Sequence, residues 1–354
     1  MATGFPTKAN YAAGDILTAA NMNDLSGTVN YLQYMPPRNA LLNSNFSVWQ
    51  RGTSVALAAS TAAASGYSAD RWDTATGANQ AITISRQATA DTTNLPNIQY
   101  CARYQRNSGQ TGTSILTLAQ NLETINSIPF VGKSVTWSFY ARAGANYSAT
   151  SSILSTTLIG GTGTDQNVLT GFTGQTSISG QSSALTTTWQ RFSYTATIPT
   201  TVTQLALIYQ FTPTGTAGAN DYFEITGVQL ELGSVANTYQ PNGATYQAEL
   251  AACQRYLPAV TFIDNAQGYA YATNSMIYSM QFPVPARIAP TGISITGSTF
   301  TATVIATNYT SVTPVFNSAS ISNGSVVVTS GVTATLGNVG RFTGGTILWT
   351  GCEL

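Results

Sequence analysis

The stretch FEITGVQLELGSVANTYQP, residues 223–241, alternates apolar and polar side chains but changes phase in the middle. Phe223 and Ile225 occupy odd positions, whereas Val228, Leu230 and Leu232 occupy even ones, with Thr226-Gly227 at the switch. Successive side chains of a strand point to opposite faces, so an unbroken strand would turn half of these apolar residues into water. A β-bulge inserts one extra residue and restores a single apolar face, and glycine tolerates the backbone it requires. The reading is a closing strand of a sandwich with a bulge at Gly227. Glu224 and Glu231 then fall on the opposite face, as solvent or interface contacts.

Upstream of this strand the signals are also β. AITISRQ (81–87), SVTWSFYARAG (134–144), WQRFSYTATIP (189–199) and TQLALIYQF (203–211) alternate, and loops such as GGTGTDQN (160–167) and SISGQSS (177–183) separate them. Residues 39–241 therefore read as a sandwich or jelly roll. In 242–258, Tyr246, Leu250, Cys253 and Leu257 form one stripe that Pro258 stops, which predicts a connector helix. Strand patterns return in 259–354 (TGISI, TFTATVIA, SVVVTS, GTILWTGCEL), whereas FPVPARIAP (282–290) has too many prolines for a central strand. Residues 1–38 differ: Thr18 as N-cap and Met22, Leu25, Val29 and Leu32 predict a short helix. Its stripe packs either on its own chain or against copies of itself. The fold class is all-β, with an N-terminal helical anchor, a central jelly roll, a connector helix and a small C-terminal sandwich-like domain.

Composition narrows the function. Hydrophobic residues are an ordinary 43%, but only 7% are charged, against about 25% in a typical soluble domain. Thirteen acids balance thirteen bases, so nothing steers the chain towards nucleic acid or anionic lipid. In 258–354 only Asp264, Arg287, Arg341 and Glu353 are charged, a composition suited to burial between subunits. Histidine is absent, which removes Ser-His-Asp and Cys-His pairs and most zinc sites. Cys101, Cys253 and Cys352 lie far apart and form no metal or disulfide pattern, so three separate buried thiols made in a reducing cytosol are expected. No run of 18 apolar residues and no signal peptide is present, so membrane insertion is not expected.

In order along the chain, LLNSNFSVWQRG (41–52), GYSADRWD (66–73), TWSFYARAG (136–144), TTTWQRFSYTATIP (186–199) and DYFEITGVQLELGSVANTYQP (221–241) resemble the carbohydrate-binding-module-like jelly roll of bacteriophage tail fibres and related virion proteins. YQAELAACQRY (246–256), FPVPARIAP and the terminal CEL resemble the portion that follows it there, and YAAGDILTAANMNDL (11–25) resembles the attachment region of such fibres. The resemblance implies a homotrimeric fibre, made in the host cytoplasm and fixed to the virion through residues 1–38. It also implies contact with a host glycan or protein through later domains. Jelly rolls of this kind often hold a structural calcium ion through their first and last strands. Here Ser47 stands where an acid is more usual, leaving Glu224 alone, so neither a metal nor any other cofactor is expected.

Among candidate ligand contacts, Trp49, Trp137, Trp189 fall in strand motifs and read as core. Trp72, between Arg71 and Asp73, is either an exposed platform or a lid on the sandwich with Arg71 paired to an acid. Asp70 and Asp73 are either a glycosidase carboxylate pair or, as two acids three residues apart beside an arginine, salt-bridge partners that pin a loop; the second is the reading taken, and no catalytic residue is expected. Tyr269 and Tyr271, beside glycine and amides, suit sugar or protein contact, or else an interface or the core. The function expected is multivalent, non-catalytic host attachment through Tyr269, Tyr271 and Trp72. The alternative is a structural virion part without a receptor role, such as a head fibre, capsid decoration or tail-collar component.

Overall fold

The computed structural model describes residues 39–354, apart from 61–63, 96, 262–265, 297–298 and 330. The helix expected within 1–38 lies outside the described residues. In the first part the strands are β1 (Ser54–Leu57), β2 (Ala64–Tyr67), β3 (Asp73–Thr76), β4 (Ile82–Ala88), β5 (Tyr100–Arg106) and β6 (Leu116–Asn121). They continue with β7 (Ser134–Ala143), β8 (Ile153–Gly161), β9 (Thr176–Ala184), β10 (Gln190–Thr197), β11 (Gln204–Phe211) and β12 (Tyr222–Leu232). The chain passes back and forth between two antiparallel sheets, ordered β1-β4-β5-β12-β7-β10 and β2-β3-β6-β11-β8-β9. This is the expected sandwich, filled by Trp137, Phe139, Tyr104, Tyr209, Phe211 and Phe223.

The phase slip has the predicted cause. On β12, Thr226 pairs with Tyr140 and Gln229 with Ser138, so three steps on one strand match two on its neighbour β7. Gly227 takes φ +57°, and a Cβ there would lie 2.7 Å from Ile98 Cδ1. Phe223, Ile225, Val228 and Leu230 consequently share one core, with Leu232 packed at its margin. The opposite face departs from expectation. Glu224 is fully buried, its two oxygens taken by Arg103 Nη2 at 2.6 Å and Arg142 Nε at 2.5 Å. Glu231 is buried too, and accepts hydrogen bonds from Gln229 and Asn237. Two arginines flank Glu224 and their charges repel a cation, and Ser47 supplies no second carboxylate, so these residues do not fit the metal that such folds can carry.

Arg106 and Asp221 are both fully buried, 2.7 Å apart. The arginine also donates to Ser148 Oγ and to the carbonyls of Gln110, Gly112 and Gly215, tying three loops at one end of the sandwich. At the other end, Asn43 takes φ +49° and bonds through its side chain to Val48 and to the Asp70 carbonyl. Trp72 Nε1 donates to the Asn43 carbonyl, and the Trp72 ring meets Phe46 at 4.9 Å. The motifs at 41–52 and 66–73 thus lock each other.

Helix α1 (Tyr246–Gln254) follows, with Thr245 Oγ1 accepting the Ala248 N–H as its N-cap. Cys253 and Leu257 are buried, but Tyr246 is exposed and does not continue the stripe read from the sequence. Beyond it lie β13 (Ala259–Thr261), β14 (Ala266–Ala272), β15 (Ser275–Gln281), β16 (Gly292–Thr296) and β17 (Phe300–Val304). The last strands are β18 (Thr307–Val312), β19 (Val315–Ala319), β20 (Asn323–Val328), β21 (Val339–Thr343) and β22 (Thr346–Thr350). They form a three-stranded sheet, β13-β22-β16, and a seven-stranded one, β18-β17-β21-β14-β15-β20-β19. A second core of Tyr278, Phe300, Phe342 and Trp349 lies between them, and 282–290 forms no strand.

Residues 39–354 are one compact unit rather than bodies strung on a connector. Glu353 pairs with Arg51, Tyr67 donates to the Leu354 carbonyl, and Arg255 pairs with Glu123 at 3.1 Å. The three cysteines are free and buried, as expected.

Candidate functional site

A cleft of about 590 Å³ opens where the sandwich end meets the start of α1. Three segments build it. The turn after Asn43 supplies Asn45 and Ser47, and the β4–β5 pair with its connection supplies Arg86, Asn97, Gln99 and Tyr100. The run entering the helix supplies Gly243, Thr245, Tyr246 and Glu249.

Register explains why Arg86 and Tyr100 stand there. Arg86 pairs with Ala102 and Ala88 with Tyr100, so both residues continue the core-facing phase of Ile82, Ile84 and Tyr104. At that end of the strands the sandwich is no longer closed, and the phase that elsewhere points into the core points into the cleft. The guanidinium carbon of Arg86 sits 4.6 Å from the Tyr100 ring centroid, and Nη1 donates to the Ser47 carbonyl at 3.2 Å. Tyr246 presents its ring at the rim, just over half exposed. The side chains of Asn97, Gln99, Tyr100 and Tyr246 make no hydrogen bond among the described residues, so their polar atoms are available to a ligand.

Glu249 is the acid of the cleft. It is buried, with Oε1 accepting the Asn43 N–H and Oε2 the Gly243 N–H at 2.7 Å. Burial raises its carboxyl above the ordinary range, against the pull of those two donors. With both oxygens engaged it braces the helix against the 39–45 segment, and it has no carboxylate partner across the cleft for general acid–base work.

The residues singled out from the sequence are not brought together. Trp72 is fully buried and cannot stack on a sugar: its ring fills the sandwich and its N–H is taken by the Asn43 carbonyl. It is the lid of the second reading, except that Arg71 reaches the Asn121 carbonyl at 2.6 Å and lies 3.6 Å over the Tyr256 ring instead of pairing with an acid. Asp70 and Asp73 are buried, held by Gln50 and by Asn167 and Thr74 respectively, and burial raises both carboxyls. Tyr269 and Tyr271 do stand exposed, on the outer face of β14. Across the strands Tyr269 neighbours Val339 and Ile277, and Ile277 neighbours Val327.

Sequence reading missed Arg86, Tyr100 and Tyr246. One signal was present: a charged residue in the core phase at a strand end marks the place where a sandwich opens. Tyr246 carried no such mark, because its spacing to Leu250 and Cys253 is that of an ordinary packed face.

No family model matches the chain, and no curated protein does. Among solved structures, a CBM4 structure shares 20% identity over 38% of this chain and 71% of its own, with a TM-score of 0.27. The enzymatically active domain of tailspike protein 4 from bacteriophage CBA120 shares 10% over 55% of this chain and 21% of its own, with a TM-score of 0.34. The CBM22-1 xylan-binding domain of Paenibacillus barcinonensis Xyn10C shares 10% over 57% of this chain and 99% of its own, with a TM-score of 0.29.

Proposed function

We propose that this chain is a non-catalytic glycan-binding protein that serves as a bacteriophage fibre, attaching the virion to a host surface. The observation that carries the binding role is the cleft at the sandwich end. It combines two tyrosine rings with amide and hydroxyl groups that make no hydrogen bond among the described residues, the mixture of flat apolar area and directional polar contacts that a sugar ring requires. The buried, hydrogen-bonded state of Asp70, Asp73 and Glu249 favours binding without hydrolysis. The virion role rests on the resemblance of the sequence motifs at 41–52, 66–73 and 221–241 to fibre proteins.

The test is a glycan array probed with the full chain and with Tyr100→Ala and Tyr246→Ala. Specific glycans retained by the native chain and weakened about tenfold or more by either substitution support the reading. No bound glycan, or binding indifferent to both, overturns it, and new reducing ends released from host polysaccharide would overturn the non-catalytic part.

A second reading, a structural virion part without a receptor role, is favoured by the exposed apolar row on the terminal sheet. Val339, Tyr269 and Val315 all stand more than half exposed there. A homotrimer joined over that face would cover it. Electron microscopy of virions labelled on this protein separates a fibre tip from a collar or capsid position.

A further inference from the structure

Arg86 is the cation and Glu249 the acid among the residues that line the cleft. Arg86 makes no ion pair among the described residues. Its protein contacts are the Tyr100 ring on one side, the Ser47 carbonyl on Nη1, and the backbone pairing of its strand. Those contacts orient the guanidinium and leave the Nε–Nη2 edge without an acceptor among the described residues. That edge is the one that accepts a carboxylate side-on through two parallel hydrogen bonds.

The acid in the same cleft does not neutralise it. Glu249 spends both oxygens on the N–H groups of Asn43 and Gly243, and makes no ion pair with Arg86.

We infer that the cleft takes an acidic saccharide, its carboxylate seated on the Nε–Nη2 edge of Arg86 and its ring laid against Tyr246. This rests on the glycan-binding reading and narrows it to a class of sugar. Tyr100 has one face occupied by Arg86, so Tyr246 supplies the free aromatic surface. Asn97 and Gln99 border the same space and reach the sugar hydroxyls.

The experiment titrates the full chain with matched pairs of oligosaccharides containing galacturonate, glucuronate or sialic acid, each as the free acid and as its methyl ester. For at least one pair the acid is expected to bind about tenfold more tightly than the ester, the scale of a charged hydrogen bond. Arg86→Gln should abolish the preference, bringing the acid and its ester to equal affinity. Tyr246→Ala should weaken both. The melting temperature of Arg86→Gln, compared with native, reports on folding.

Equal binding of acid and ester in every pair overturns the inference while leaving the glycan reading intact. So does an acid preference that survives Arg86→Gln. Inorganic phosphate displacing the acid oligosaccharide at equal concentration overturns it in favour of a simple anion site. If no acidic, esterified or neutral glycan binds, the glycan reading falls together with it.

Discussion

The two β portions treat their outer faces in opposite ways. In the sandwich both outer faces are covered. Leu95, Ile98, Trp189 and Tyr239 cover Cys101 beside β12, while Val168 and Phe172 cover Ala119, Ile159, Ala206 and Ile208 on the other sheet. On the first of these faces Arg103, Glu224 and Arg142 form a charge ladder, Glu224 fully buried and the arginines about a quarter exposed, with Tyr222 and Trp189 over the two guanidiniums at 4.0 and 4.8 Å. The outer face of the seven-stranded sheet carries Val339, Tyr269 and Val315 more than half exposed and has Arg341 as its charged member. Connection length accounts for the difference. Residues 89–99 and 162–175 are long enough to fold back over a sheet, whereas β14 and β15, and β17 and β18, are joined by two residues each. A two-residue hairpin holds register but supplies no cover.

The largest effect that would break this contrast is expected at the sandwich end. Arg106→Leu leaves Asp221 buried without its partner and strips donors from the carbonyls of Gln110, Gly112 and Gly215. A loss of about 3–5 kcal/mol is expected, read as a shift in the urea midpoint. Arg106→Leu combined with Asp221→Leu should recover part of it. A loss below about 1 kcal/mol in the single variant would show that the buried charges do not hold the sandwich together.

Next in size is a pH effect at the junction of the two portions. Burial pushes the Glu353 carboxyl from its ordinary 4.5 to about 7, Asp70 adding to the rise, although Arg51 pulls the other way. A carboxyl with a raised folded pKa binds its proton more readily when folded. Its contribution is therefore complete below about pH 4.5 and is lost as pH climbs through 7. Asp70 and Asp73 are raised as well and act with the same sign. Melting temperature should fall between pH 5 and 8, with Glu353 accounting for up to about 3 kcal/mol. Glu353→Gln should flatten the profile; a native profile that rises over that window would contradict the assignment.

Much of the sandwich was legible because its strands carry period-two patterns, and the bulge could be placed at Gly227 from the phase of five residues. Gly227→Ala tests that placement: with φ +57° and Ile98 2.7 Å from the new Cβ, about 1–3 kcal/mol should be lost, measured by thermal melting. Less than about 0.5 kcal/mol would mean that the bulge accommodates a side chain. The site was less legible. Nothing in the pattern of 223–232 shows that Glu224 is buried, since Arg103, Arg142 and the Trp189 ring over Arg142 come from far away in sequence. Trp72 was ambiguous for the same reason: a polar neighbourhood in sequence became a closed one once Asn43 supplied an acceptor. The cleft is made by three segments whose meeting depends on tertiary structure, and only the phase of Arg86 pointed to it.

The smallest expected effect on stability bears most directly on the comparison. Tyr269 and Tyr271 have side chains on an open face, so Tyr269→Ser and Tyr271→Ser should leave folding within about 0.5 kcal/mol. The outer row nevertheless runs without a break from Val315 through Val327, Ile277 and Tyr269 to Val339. A continuous apolar row on a nearly uncharged sheet favours association, since little like-charge repulsion opposes it. Light scattering of the native chain at micromolar concentration should therefore report an oligomer, and the double tyrosine variant a smaller species. If the native chain is a monomer there, the face is simply bare, and the contrast between the two portions is one of connection length alone. If the oligomer survives the tyrosine substitutions, the copies meet elsewhere, and Tyr269 and Tyr271 regain their standing as ligand contacts, to be tested on the glycan array alongside Tyr246.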